Sequence, residues 1–150
     1  MKTREIEMLK RLVGDWSVDV TANMPDGTSL QGKGTVRASE LSLDRGIRTE
    51  MELDIPGMGA FREDDLWGFD QWEKKMHLYS VTSTGAVHDH SGTWKDDQTL
   101  HLRWEGLYEG KPATEDLVFT WPGDGEVRGH EVDTSEGQPG PVFDYVLKKS

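Results

Sequence analysis

Gly14-Asp15-Trp16-Ser17-Val18-Asp19-Val20-Thr21-Ala22 alternates side chains with a period of two. Trp16, Val18, Val20 and Ala22 share one face, and Ser17, Asp19 and Thr21 share the other. A strand with one apolar and one wet face is the pattern of antiparallel sheets. The residues just before it follow another rule. Ile6, Leu9, Leu12 and Val13 recur at helical spacing, so residues 3–13 read as a short helix. Thr3 stands at its N-cap, Glu5 lies in its first turn, and Gly14 occupies the C′ position that ends a helix.

The period of two continues to the end of the chain. Ile47, Thr49, Met51, Leu53 and Ile55 alternate with Arg48, Glu50, Glu52 and Asp54. Leu100, Leu102 and Trp104 repeat the pattern, as do Leu117, Phe119 and Trp121, then Phe143, Tyr145 and Leu147. Turn residues separate these runs at 25–27, 44–46, 56–59, 70–73, 83–85, 95–98, 109–111, 122–125 and 137–141. Nine turns make about ten strands, and most connections are too short for a crossover helix, so neighbours in sequence pair as hairpins. A meander with one apolar face leaves two raw edges unless it closes. The expected fold is therefore all-β: an antiparallel up-and-down barrel of about ten strands over residues 15–148, with the N-terminal helix capping one end. Residues 1–150 read as a single domain.

Composition removes several classes of function. The chain has no cysteine, which excludes disulfides, thiol nucleophiles and thiolate metal sites. A net charge of −11 with scattered basic residues opposes nucleic acid and anionic membranes. No stretch approaches the ~18 apolar residues of a membrane span, and residues 1–8 lack a signal-peptide core. A cytoplasmic location is expected. There is no Gly-x-Ser-x-Gly elbow, no His-Glu-x-x-His and no Walker loop.

The helix running into Leu12-Val13-Gly14-Asp15-Trp16, then Gly68-Phe69-Asp70 with Lys74-Lys75, and Gly92-Thr93-Trp94 with Thr99-Leu100, form a set. With them the chain resembles the calycin group of lipocalins, fatty-acid-binding proteins and nitrobindins. It is most similar to a bacterial lipocalin-like family of unknown function. The resemblance implies a barrel with an interior cavity. Two features depart from it. No basic partner for Trp16 stands out in the sequence, and Val18 and Val20 replace the later glycines of the nitrobindin opening. Haem binding is therefore not carried over, and no cofactor is identified.

His88-Asp89-His90 is the first candidate site. Histidines two apart on a strand face one way, as in many sheet-borne metal sites. If Trp94 points inward, both histidines do too. Glu63 and Asp65 share parity with Trp67 and Phe69, so these four could hold a metal or a polar ligand. They could equally be surface pairs or a hydrated internal network. The second candidate is the aromatic set Trp67, Phe69, Trp94, Trp104, Trp121 and Tyr145, as pocket wall or as core. Trp16 reads as the barrel floor, and His77, His101 and His130 as ordinary polar residues.

The leading expectation is a binding barrel for a small apolar or aromatic molecule. Met51, Trp67, Trp94 and Trp104 would form its walls, and Glu63, His88 and His90 its polar anchors. One alternative is a barrel enzyme or metal-binding protein using the same His and carboxylate groups. The other is a packed interaction module or homodimer using Val118, Val132 and Val146 on the outer wall.

Overall fold

The computed structural model describes residues 3–150. Helix α1 (Arg4–Leu9) is continued by one 3-10 turn, Lys10–Leu12. Ten strands follow: β1 (Gly14–Asn23), β2 (Ser29–Glu40), β3 (Gly46–Ile55), β4 (Gly59–Asp70), β5 (Lys75–Thr82), β6 (Val87–Asp96), β7 (Thr99–Tyr108), β8 (Lys111–Gly123), β9 (Glu126–Ser135) and β10 (Gln138–Lys149). Each pairs antiparallel with its neighbours in sequence, and β1 pairs with β10 to close the barrel. The closing register sets Val18 opposite Leu147 and Val20 opposite Tyr145. The all-β, ten-stranded up-and-down architecture read from the period-two pattern is the observed one.

Among the described residues no helix is long and apolar enough to cross a membrane. Exposed apolar side chains on the outer wall cluster on β4 to β6, at Leu66, Tyr79, Val81 and Val87. Val118, Val132 and Val146 are outward but half-buried.

The helix begins where Thr3 accepts a hydrogen bond from the Ile6 backbone N–H, an N-cap that satisfies one of the free amides. Ile6, Leu9 and Leu12 bury themselves against the barrel end. Two boundary readings change. The helix stops at Leu12 with Val13 as its extended C-cap, so Gly14 does follow at C′, but it also opens β1, at φ 134°. A Cβ on Gly14 would lie 2.7 Å from Lys149 Cε, so the glycine makes room for the Lys149 side chain. The last turn is Glu136-Gly137 rather than 137–141, because Pro139 and Pro141 lie inside β10 at a bulge. A bulge is one of the few places a sheet tolerates proline.

Lys149 is the basic partner of Trp16 that the sequence did not reveal. Its Nζ lies 5.2 Å from the indole centroid and donates to Val13 O at 2.9 Å. The Trp16 Nε1–H donates to Leu12 O at 2.7 Å. The last strand is thus tied to the helix–strand junction 136 residues earlier. The Lys149→Met variant should lose about 1 kcal/mol of stability, since a partly exposed cation–π contact is worth that much. Urea unfolding followed by tryptophan fluorescence would measure it.

Candidate functional site: a carboxylate- and histidine-lined lumen

The inner wall divides into two halves. Next to the helix it is apolar and filled, by Trp16, Ile47, Trp67, Met76, Leu100, Trp121 and Val127. Trp94 belongs to this floor. It packs on Trp121 with centroids 5.0 Å apart, and the Arg11 guanidinium covers both rings. Trp67 packs edge-on against Phe119 and donates from Nε1 to Thr49 Oγ1 at 2.9 Å.

The half farther from the helix is polar. Alternation on β4 turns Glu63 and Asp65 inward with Trp67. On β6 it turns His88 and His90 inward, both buried. On β8 the parity of Leu117 and Trp121 brings in Glu115, and on β9 the parity of Val127 and Gly129 brings in Glu131 and Asp133. Five carboxyl groups and two imidazoles therefore face one lumen.

Glu115 is the hub. Its Oε1 lies 3.0 Å from His88 Nδ1 and 2.7 Å from His90 Nε2. His90 Nδ1 is 3.3 Å from Leu78 O, which can only accept, so that nitrogen carries a proton. The His88 ring stacks on Trp104, with centroids 3.5 Å apart and 19° between planes. Thr49 donates to Asp65 Oδ2 at 2.9 Å, completing a chain from Trp67 through Thr49. Asp65 Oδ1, Ser80 Oγ and Asp133 Oδ1 are buried without a hydrogen-bond partner.

The electrostatics follow from burial. Desolvation pushes the Glu63 carboxyl well above the ordinary carboxylate range, and the neighbouring Asp65 adds to it. Burial does the same to Glu131, reinforced by Asp133 and Glu115. Asp133 is pushed up to about 7, and Asp65 rises as well, in both cases chiefly by burial. Burial opposes ionisation of Glu115 too, but the His90 hydrogen bond and the charges of both histidines hold it below its usual value.

The lumen is not packed shut. Met51, Glu63, Phe119, Glu131 and Tyr145 all face inward yet are only half-buried. Alternation aims these side chains at the barrel interior, so the surface they keep free lines the lumen. Shallow depressions also lie over β3 to β5, where Met51 and Glu63 contribute to the lining, and over β6 to β8.

Of the residues singled out in the sequence, Met51, Glu63, His88, His90 and Trp104 line this part of the lumen, with Asp65 beside them. Trp67 and Trp94 lie in the floor; Trp94 is six residues along β6 from His88, about 20 Å of strand. Reading the motifs missed Glu115, Glu131 and Asp133. The signal was present, since each shares parity with residues already placed inside. His77 and His130 pair outward, with Asp89 at 3.0 Å and Asp144 at 2.6 Å, and His101 is exposed.

The family model described as "Protein of unknown function (DUF1579)" matches residues 2–115. No curated protein matches the chain in sequence. Solved structures share the fold at low identity. Rv2717c from M. tuberculosis aligns over 100% of this chain and 99% of its own, at 14% identity and TM-score 0.76. The S-type phycobiliprotein lyase CPES from Guillardia theta aligns over 96% and 91%, at 14% identity and TM-score 0.64. A redesigned β-barrel, mFAP0, bound to DFHBI, aligns over 93% and 99%, at 13% identity and TM-score 0.53.

Proposed function

This chain belongs to the DUF1579 family, and from that footing we propose that it is a binding barrel for a small aromatic molecule carrying a protonated nitrogen. The carrying observation is the unfilled lumen, in which five carboxyl groups converge beside aromatic surface from Trp104, Phe119, Phe143 and Tyr145. Pockets of this type hold a ligand's body by apolar contact and its orientation by a few polar groups. A wholly apolar ligand fits less well, because it would strip water from carboxyl groups and return no hydrogen bond. A cation does the opposite. It stabilises the ionised form of Glu63, Glu131 and Asp133, which the empty lumen disfavours. The designed barrel of the same fold bound to DFHBI lends support, as a barrel of this kind that holds a small molecule.

Benzamidine and benzoate test this, being alike in shape and opposite in charge. With metal-free protein, saturation-transfer NMR should show benzamidine binding and benzoate not. Benzamidine affinity should rise with pH, because each bound cation displaces protons from the raised carboxyls. The Glu131→Gln variant should weaken it about tenfold, or 1.4 kcal/mol. Equal binding of both probes would end the cation reading, and binding of neither would end the small-molecule reading of this lumen.

A further inference from the structure

His88, His90 and Glu115 present a second capacity of the same barrel. Their ligand atoms all lie within 4.8 Å of one another. Two are imidazole nitrogens from one face of β6 and the third is a carboxylate oxygen from β8, so two separate strands hold the set. Both histidines are buried, at 5% and 4% exposure, and Glu115 is half-buried. We propose that His88 Nδ1, His90 Nε2 and a Glu115 carboxylate oxygen form a binding site for one divalent transition-metal ion of the zinc type, with a coordination position open to the lumen.

Four features carry this. The donor set, two neutral nitrogens and one anionic oxygen, is that of three-ligand zinc sites that keep a fourth position free. With its Nδ1–H engaged by Leu78 O, His90 turns Nε2 toward Glu115, and release of the Nε2 proton leaves the lone pair that a metal ion needs. A backbone carbonyl that orients a ligating histidine in this way is the usual supporting contact of such sites. The 2.7 Å contact between Nε2 and a carboxylate oxygen is closed by a proton in the metal-free protein, and that proton occupies the position a metal ion would take. Lastly, the Asp65 and Asp133 carboxyls stand on the same inner wall, each with Oδ1 outside any hydrogen bond of normal length and angle. Tetrahedral ligation at zinc–ligand distances of about 2.0–2.1 Å separates ligand atoms by about 3.3 Å. The trio must therefore open by roughly half an ångström on binding, which the unfilled lumen beside it permits.

A different cluster, Asp70, Glu73 and His77, also has metal-compatible spacing, but it sits at the β4–β5 turn with Glu73 exposed. It serves as the internal control. Full-length protein freed of metal with EDTA would be titrated with Co2+ and followed by visible absorption, with Zn2+ as competitor. The expected result is one Co2+ per chain with ligand-field bands, displaced by one equivalent of Zn2+. In Glu115→Gln, which keeps the size of the side chain, and in His90→Gln, affinity should fall by more than the 10–100-fold that loss of a supporting residue costs. Circular dichroism would confirm that both variants fold. Zn2+ should raise the melting temperature of the parent protein and leave that of Glu115→Gln unchanged. His77→Ala should bind as the parent does. Absence of a cobalt spectrum, or binding that survives Glu115→Gln and is lost in His77→Ala, overturns the proposal. Because the benzamidine experiment uses metal-free protein, its outcome is independent of this one.

Discussion

Asp133→Asn protein, freed of metal, should be more stable than the parent at pH 8, by roughly 2–4 kcal/mol, and that advantage should shrink to less than half as the pH falls to 5. Asp133 ionises at 3.8 in an ordinary setting and at about 7 in the folded lumen. Between those values the folded state holds a proton that the unfolded chain has released. Stability is thus greatest below the unfolded value and declines as the pH rises through the folded one. Glu63 and Glu131 are shifted in the same direction, so they extend the decline upward. At the acid end the sign reverses. Glu115 is held below its usual value by the histidines, and Asp26, Asp70 and Asp96 by local hydrogen bonds. Each loses its contribution as it is protonated. The parent protein should therefore be most stable near pH 5. Urea unfolding at pH 5, 6, 7 and 8 measures the profile. A parent flat from pH 5 to 8, or Asp133→Asn without effect at pH 8, would mean that the lumen carboxyls are solvated and ionised.

Gly92→Ala is expected to cost at least about 3 kcal/mol, lowering the melting temperature by roughly 10 °C. Gly92 faces the lumen between His90 and Trp94, and it pairs with Met76 on one side and Leu102 on the other. A Cβ there would sit 1.9 Å from His101 O, 2.9 Å from His101 C and 3.0 Å from Leu102 Cα. All three are backbone atoms, so no rotamer change relieves the clash. The β6–β7 ladder must separate or Gly92 must shift, and either movement displaces His90 and Trp94. Glycine at such close approaches is how a coiled sheet turns sharply enough to close. Gly123→Ala is the comparison, because nothing lies within 4 Å of its Cβ position; its melting temperature should change little. If Gly92→Ala melts with the parent, the inner wall at β6 is looser than this geometry requires.

Strand periodicity carried most of the fold because alternation is a local property. Trp16, Val18 and Val20, or Leu100, Leu102 and Trp104, announce their face without reference to any partner. Short turns then leave only hairpin pairing, and a sheet with ten strands and one apolar face closes. For the same reason the inward orientation of His88, His90, Glu63 and Asp65 was legible. Glu115, Glu131 and Asp133 were equally readable by parity. A carboxylate on a strand nonetheless reads as part of a solvated face until its neighbours across the barrel are known.

What the sequence by itself determined, then, is the closed barrel, the helix at one end and the side of the wall each residue occupies, since all depend on neighbours one or two positions away. Tertiary structure alone decided which inward residues share a layer. That depends on the register of strands up to the full chain length apart, and register sets Glu115 against His88 and His90 from β6. It also placed Lys149 on Trp16, and sent Trp67 and Trp94 to the floor instead of beside the histidines. Whether the lumen is open was likewise a question of volume, because alternation says which side chains enter a barrel but not whether together they fill it.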